Sequence, residues 1–271
     1  MMLNNPAPAL LRVIFSTLLL SLLTIYGISL LSADIPIDLL ARYQPPSAAH
    51  WFGTDNMGRD LWLRCFQGAL ISLQIGVGAA LCSGIIAMLV ASLTLIHPTI
   101  DQALRLVIDT LLSLPHLLLL ILICFTVGGG KQGVIIAVAL THWPKLALIL
   151  RAEAQRIRTS DYMTLAQRIG NGRWYCWRAH YLPALSSQWF VGTLLMFPHA
   201  VLHSAALSFL GFGLAPHEPS LGILLSDALR FLSNGSWWLA VFPGLMLLLI
   251  VLLFDQSVRA IHSLWLRNQS C

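Results

Sequence analysis

The chain has 271 residues, of which 57% are hydrophobic and only 10% are charged, and its mean hydropathy is +0.77. A soluble domain carries about a quarter charged residues, so a water-covered globular surface is excluded for most of this chain. The composition therefore predicts an all-α integral membrane protein, because lipid must solvate much of such a surface. The net charge of +5 does not indicate nucleic acid binding, since the basic residues cluster at the ends of apolar runs.

Six apolar runs have about the 20-residue length that a bilayer-crossing helix requires. The first could instead be a signal peptide ending at Ser32-Ala33, but its apolar core is longer than the h-region of such a peptide. We therefore expect a signal-anchor helix and an extracytoplasmic segment in residues 1–68, and a core domain with five spans in residues 69–271. The predicted spans are 10–32, 69–96, 103–127, 133–150, 188–213 and 237–262.

Arginines set the predicted orientation. The segment 151–183, between the fourth and fifth spans, holds six arginines but only two acidic residues. Because loops rich in lysine and arginine stay in the cytoplasm, this segment is predicted to be cytoplasmic. Arg12 before the first span, and Arg259 and Arg267 at the end of the last, place both termini on the same side.

A turn-rich segment, His50–Asp60, precedes the second span. Two of its glycines can adopt positive φ, and a threonine and an aspartate can cap the following turn. The adjacent Arg59 and Asp60 can pair at the membrane surface. We expect a rigid turn that leads into the helix, formed by Gly53, Thr54, Asp55, Gly58, Arg59 and Asp60.

Two oppositely charged residues lie four apart near the start of the third span. Arg105 and Asp109 would share one face of a helix and can pair there. Charged groups within the membrane are costly and are functional candidates by default. We interpret this pair as mainly structural.

The arginine-rich segment has the pattern helix–glycine–helix. Residues 161–169 form one predicted helix, Gly170 is its C-terminal cap, and residues 174–181 form a second helix that ends at Pro183. Apolar side chains recur at helical spacing in the first helix, as is typical of a helix that inserts into a partner's groove. They are Tyr162, Leu165, Ala166 and Ile169.

Histidines mark the fourth and fifth spans. His199 and His203 lie four apart, so they share one helix face. Two imidazoles at this spacing can bind one nickel, copper or zinc ion, which makes them candidate metal ligands. The alternative is that each histidine hydrogen-bonds a neighbouring helix. His142 in the fourth span and His116 after Pro115 are further candidates for a substrate pathway.

Three segments of the chain carry a resemblance to a known family. The first is Phe52-Gly53-Thr54-Asp55 with Gly58-Arg59-Asp60; the second is Gly170 followed by His180 and Pro183; the third is Leu207-Ser208-Phe209-Leu210-Gly211-Phe212-Gly213. With them the chain resembles the inner-membrane permease subunits of ABC importers in the dipeptide, oligopeptide and nickel group.

The resemblance implies a type I ABC importer permease fold with six transmembrane helices and a cytoplasmic coupling helix between spans four and five. The family usually has a glutamate and two small residues where this chain has Thr164-Leu165-Ala166. The segment at residues 50–60 would be a structural turn or a contact with the binding protein. The coupling residues would be Asp161, Tyr162, Thr164, Leu165, Ala166, Ile169 and Gly170.

The resemblance also implies the partners: a second homologous permease, two ATP-binding subunits, an extracytoplasmic binding protein and the lipid of a bacterial inner membrane. ATP and magnesium would be bound by the ATP-binding subunits, and no cofactor is expected in this chain. Gly128-Gly129-Gly130-Lys131 departs from the phosphate-loop pattern, because Phe125 replaces the first glycine and Gln132 replaces the serine or threonine.

The histidines also bear on the cargo and on rival classes of protein. The histidines resemble those of the nickel branch, so nickel or a nickel chelate is the preferred cargo, and di- or oligopeptides are the alternative. A membrane metalloprotease lacks support, because Ala200 stands where the glutamate of its zinc motif would be needed. A receptor-type or structural subunit would leave the helix–glycine–helix segment unexplained.

Overall fold

The computed structural model describes the backbone of residues 7–31, 35–215 and 218–269, and the side chains of 10–31, 35–215 and 218–261. Ser32-Ala33, the end of the signal-peptide alternative, and the side chain of Arg267 lie outside the described residues. The helices are α1 Ala7–Ser29, α2 Leu61–Leu93, α3 Pro98–Ser113, α4 His116–Thr126, α5 Gly130–Arg158, α6 Asp161–Arg168, α7 Arg173–Cys176, α8 Leu182–Phe209, α9 Leu221–Phe231 and α10 Trp238–Gln269.

Within this described part, five helical stretches are long and apolar enough to cross a membrane. They are α1, α2, α5, the continuous run from α7 through α8, and α10, and α3 with α4 makes a sixth candidate as one broken span. The helical class predicted from composition is confirmed. The predicted boundary between residues 68 and 69 lies inside α2, and the division into two domains stays a prediction.

The third predicted span, 103–127, is broken into two helices rather than continuous. α3 and α4 meet at a bend of 101°. Leu114 is extended, with ψ of 145°, because the residue before a proline is disfavoured in the helical region. Pro115 and the start of α4 follow directly, so the bend fixes the position of His116.

The second predicted helix of the arginine-rich segment is also wrong, because it does not end at Pro183. Residues 173–209 form one uninterrupted helical run of 37 residues. A π-helical turn, Trp177–Tyr181, joins α7 to α8, and Pro183 lies in the first turn of α8. A proline lacks the N–H group for a normal helical hydrogen bond, and it is tolerated here because the hydrogen bonding changes at this junction.

The small residues Gly76, Ala80 and Gly84 recur every four residues along α2, a spacing that lets two membrane helices approach closely. A Cβ atom added to Gly76 would lie 2.4 Å from Val201 Cγ2, and one added to Gly84 would lie 2.4 Å from Thr193 Oγ1. Trp189 Nε1 of α8 donates to the carbonyl of Gly84 at 2.8 Å. α2 therefore forms the centre of the bundle, and α5 packs on it as well.

Candidate functional site

The segment at residues 50–60 is organised by one buried carboxylate, that of Asp55. Its Oδ1 accepts hydrogen bonds from the backbone N–H groups of Met57 at 2.8 Å and Arg59 at 2.9 Å. Its Oδ2 accepts from Arg59 Nε and from Arg64 Nη1, both at 2.7 Å. Asp55 and Arg64 are each only 3% exposed, so their charges are removed from water together. Sequence reasoning did not identify Arg64, because it lies in an apolar helical run.

The predicted pairing of Arg59 with Asp60 is wrong, because each has a different partner. Arg59 binds Asp55, while Asp60 caps the N-terminus of α2 by accepting from Trp62 N at 2.8 Å. His50 Nδ1 lies 2.9 Å from Asp60 Oδ2. An aspartate is favoured at this position because it satisfies free N–H groups of the first helical turn.

The two glycines of this segment have the positive φ that was predicted. Gly53 has φ of +75° and Gly58 has φ of +71°. A Cβ atom at Gly58 would lie 1.7 Å from the carbonyl oxygen of Asp38, so no other residue fits there. Thr54 Oγ1 accepts from Gln44 N at 2.8 Å, and Trp238 Nε1 donates to the Thr54 carbonyl at 3.2 Å. The segment is thereby fixed to α10.

A second carboxyl, that of Asp227 in α9, lies near the same ion pair. Burial raises its pKa above the ordinary value, and the nearby charges of Arg64 and Arg230 oppose that rise.

By contrast, Arg105 Nε and Asp109 Oδ2 of α3 are 3.7 Å apart and both side chains are well exposed. The latter contact is a weak surface pair, which fits a minor structural contribution.

α6 presents an apolar face away from the rest of the chain. Tyr162, Leu165 and Ile169 are 50%, 59% and 71% exposed. The prediction is wrong for Ala166, which is buried together with Met163 against the chain's own core and so is not free for a partner. α6 begins at Asp161, an acidic residue in its first turn, and Thr164 is exposed.

Gly170 follows α6 with φ of +91°, the left-handed conformation predicted for a C-terminal cap. The ring of Tyr162 lies 5.8 Å from that of His180 in the π-helical turn. Only two residues separate α5 from α6, and α6 is followed closely by α7. The exposed face is therefore held between two of the long helices.

Three histidines from different helices meet in the bundle: His116 at the start of α4, His142 in α5 and His203 in α8. Their ring centroids are 4.7 to 5.0 Å apart, and the rings are tilted by 72° to 84° to one another. One nitrogen from each ring lies within 4.8 Å of the others. We call this group the histidine cluster; His142 is its most buried member.

Backbone carbonyls orient two of these rings. His142 Nδ1 lies 2.9 Å from the Val138 carbonyl, and His203 Nδ1 lies 2.8 Å from the His199 carbonyl. His142 Nε2 is buried and has no hydrogen-bond partner among the described residues.

The predicted metal pair His199 and His203 is not the arrangement that the structure brings together. His199 is exposed, and its Nδ1 contacts the Leu195 carbonyl at 3.2 Å. His116 and His142, predicted as pathway residues, are the ones that join His203. The spacing of four within α8 identified one member of the cluster, but the other two come from helices far apart in sequence.

Comparison with known proteins places the chain among transport components. Residues 83–266 match the family model described as the inner membrane component of binding-protein-dependent transport systems. The chain is 37% identical over 204 residues to a putative peptide transport system permease protein of Brucella suis biovar 1. These residues are 75% of this chain and 69% of that protein.

Two further relatives carry similar names. The dipeptide transport system permease protein DppC of Bacillus subtilis is 34% identical over 212 residues, which are 78% of this chain and 66% of that one. The probable D,D-dipeptide transport system permease protein DdpC of Escherichia coli K12 is 30% identical over 227 residues, or 82% and 76% of the two chains.

Among solved structures, the crystal structure of an amino acid ABC transporter with histidines is similar with a TM-score of 0.58. The match covers 75% of this chain and 94% of that one, at 15% sequence identity. At this identity the match shows a common fold alone.

Replacing Asp55 by asparagine is expected to destabilise the protein by about 3–5 kcal/mol, because the buried guanidinium of Arg64 loses its carboxylate. The matched control is Asp109→Asn, which removes the same charge from the exposed pair with Arg105 and should cost only about 0–1 kcal/mol. Thermal unfolding of both purified variants in detergent measures the difference. Equal unfolding temperatures would show that the buried ion pair does not hold this segment.

Proposed function

The chain belongs to the inner membrane components of binding-protein-dependent transport systems, and from this membership we propose which cargo it carries and how it is driven. It is a permease subunit of an ABC importer with the type I permease fold, a transport subunit rather than an enzyme. Its cargo, its partners and its orientation in the membrane belong to the proposal.

Small peptides are the proposed cargo. The observation that carries this proposal is the set of relatives, 30% to 37% identical over most of the chain, whose names specify peptides or dipeptides. Peptides are thus preferred over nickel, whereas the histidines in the sequence had favoured nickel. Nickel or a nickel chelate becomes the second candidate, favoured by the histidine cluster.

We propose that the working importer contains a second permease, two ATP-binding subunits and an extracytoplasmic binding protein, in a bacterial inner membrane with both termini in the cytoplasm. Residues 1–68 would anchor the chain beside the core domain of residues 69–271. Switching between outward and inward openings would be a rigid-body movement between two packings of the helices.

We propose α6 as the contact that transmits the movement of the ATP-binding subunits. Tyr162, Leu165 and Ile169 form an exposed apolar face on a short helix. Apolar side chains at this spacing fit a groove in a partner, and such a face is unfavourable in water when it stays uncovered. The buried Met163 and Ala166 attach the helix to the rest of the permease, so a push on the face would reach α5 and α8.

Uptake by the organism itself tests the cargo. A strain that lacks this chain is expected to lose accumulation of a labelled dipeptide, and restoring the chain should restore it, because no cargo crosses when one permease is missing. Uptake of radioactive nickel is measured in the same strains. Lost nickel uptake with unchanged dipeptide uptake would contradict the peptide proposal and support the second candidate.

Substitution of Leu165 by glutamate tests the coupling face. A charge placed in an apolar groove costs at least about 1.4 kcal/mol, so transport and transport-coupled ATP hydrolysis should both fall roughly tenfold or more. Gln167→Glu, which adds the same charge at an exposed position of α6 outside the face, is the control and should retain both activities. Normal transport by Leu165→Glu would rule out this contact.

Cysteine labelling tests the orientation. In a background where Cys82 and Cys271 are serine, Thr164→Cys in α6 is expected to react with a membrane-impermeant maleimide only in inside-out vesicles. Trp51→Cys in the turn before α2 should react in intact cells, because it lies on the opposite side of the membrane. Reaction of Thr164→Cys in intact cells would remove α6 from the cytoplasm, and the coupling proposal with it.

A further inference from the structure

We propose that the histidine cluster of His116, His142 and His203 is a binding site for one divalent transition-metal ion, bound through three imidazole nitrogens. The place of this site on a transport pathway rests on the proposed function, whereas the site itself rests on the geometry of the three rings. Nickel, copper and zinc are the metals that imidazole ligands suit best.

The distances within the cluster fit a metal site that closes on its ion. Metal–nitrogen bonds of about 2.0–2.1 Å place two imidazole nitrogens about 3.4 Å apart in tetrahedral geometry. The cluster's nitrogens lie within 4.8 Å of one another. Side-chain rotations that move each nitrogen by about 1 Å would therefore bring them to that spacing. Steep tilts between the rings keep them from stacking face to face on each other.

The hydrogen bonds of two rings determine which nitrogen can bind a metal. A carbonyl oxygen only accepts, so the Nδ1 of His142 beside Val138, and that of His203 beside the His199 carbonyl, must carry the proton. The Nε2 of each ring then has its lone pair free. Metal-binding histidines in proteins are oriented in the same way, by a carbonyl that accepts from the other nitrogen.

An unused acceptor provides the second, independent observation. His142 Nε2 is buried and finds no hydrogen-bond partner among the described residues. A buried polar atom left without a partner costs about 1–3 kcal/mol, and the great majority of such atoms are satisfied in folded proteins. A metal ion bound at the centre of the cluster would satisfy it.

The surroundings of the cluster favour an ion that binds and leaves. Three neutral imidazoles bring no negative charge, and Lys145 lies three residues after His142 in α5, about one helical turn away. A cationic neighbour weakens metal binding, and a transport pathway requires sites that release what they bind. The site lies twelve residues inside α5, about 18 Å along the helix from its start at Gly130.

Three ligands also leave a coordination position open. A free metal ion would fill it with water, whereas a chelated ion would fill it with an atom of its chelator. A small peptide chelates such ions through its amine and amide nitrogens, so metal-bearing peptides would suit both this site and a permease of the peptide class. The shared chemistry is the metal ion, and the source is distinguished by testing nickel alone and nickel chelated by free histidine.

The test uses the complete importer purified in detergent with an affinity tag that contains no histidine. After equilibrium dialysis against excess Ni²⁺, we expect one Ni²⁺ bound per copy of this chain, and an X-ray absorption spectrum with imidazole nitrogen ligands. His116→Ala, His142→Ala and His203→Ala should each weaken binding by at least the roughly 10–100-fold typical of losing a supporting partner of a metal ligand. Gel filtration confirms that each variant is folded.

His199→Ala separates this site from the pair predicted by sequence. His199 is exposed and outside the cluster, and its carbonyl is kept in the variant, so nickel binding should be retained. Loss of binding in His199→Ala together with full binding in His116→Ala would overturn the three-histidine site. Absence of stoichiometric nickel on the importer after dialysis against excess nickel, free or chelated, would overturn it as well.

The two proposals fail in different experiments. Binding is measured on the purified complex without transport, so it does not depend on whether peptides are the cargo. Nickel bound at the cluster in an importer whose loss leaves dipeptide uptake unchanged would overturn only the peptide proposal.

Discussion

Lipid cannot solvate a polar group, and this constraint determines most of the structure. Every backbone N–H and C=O group in the membrane must find a partner within the protein, which restricts the spans to helices. Two of the ion pairs accordingly lie near the ends of helices. They are Asp55 with Arg64 at the start of α2, and Asp101 with Arg151 where α3 approaches α5, the latter with Arg151 Nη2 2.6 Å from Asp101 Oδ2.

The same constraint explains how the bundle is held together without a hydrophobic driving force between helices. Lipid tails are as apolar as leucine, so helices associate through close packing and hydrogen bonds. Gly76 and Gly84 allow α8 to approach α2, and the indole of Trp189 uses that approach to reach the Gly84 carbonyl. α1 is held differently, since Ser257 Oγ of α10 donates to Ser16 Oγ at 2.7 Å in an otherwise apolar contact.

The sequence predicted the features that depend on local composition. Hydropathy identified the spans, and glycines identified the positive φ values of residues 53, 58 and 170. Pro115 indicates a disturbed helix, but the sequence did not predict a break as sharp as 101° or the helical run through Pro183, because a proline within an apolar run is compatible with a kink, a break or a helix start. The outcome depends on the tertiary contacts of the neighbouring helices.

Features that depend on contacts between separate segments could not be predicted from the sequence either. Arg64 has no nearby acidic residue in its own helix, and its partner Asp55 is fixed by the turn that precedes α2. Ala166 lies four residues after Tyr162 and three before Ile169, a spacing that places it near their helix face, yet the packing of α6 buries it. The histidine cluster joins residues 116, 142 and 203, so only a three-dimensional structure could distinguish it from the pair within α8.

The connections of the cluster relate it to the proposed coupling helix. His142 lies in α5, which leads into α6, and His203 lies in α8, which follows α6 through α7 and the π-helical turn. His116 instead begins α4, beyond the bend that separates it from α3. A displacement of α6 would therefore move two of the three rings through continuous helices, while the third follows through packing contacts alone.

Because metal–nitrogen bonds tolerate only small changes in distance, a shift of α5 and α8 relative to α4 would open the cluster and release a bound ion. Conversion of a movement at α6 into a change of affinity at the cluster requires only that these helices move as rigid bodies, which is how packed helices generally rearrange.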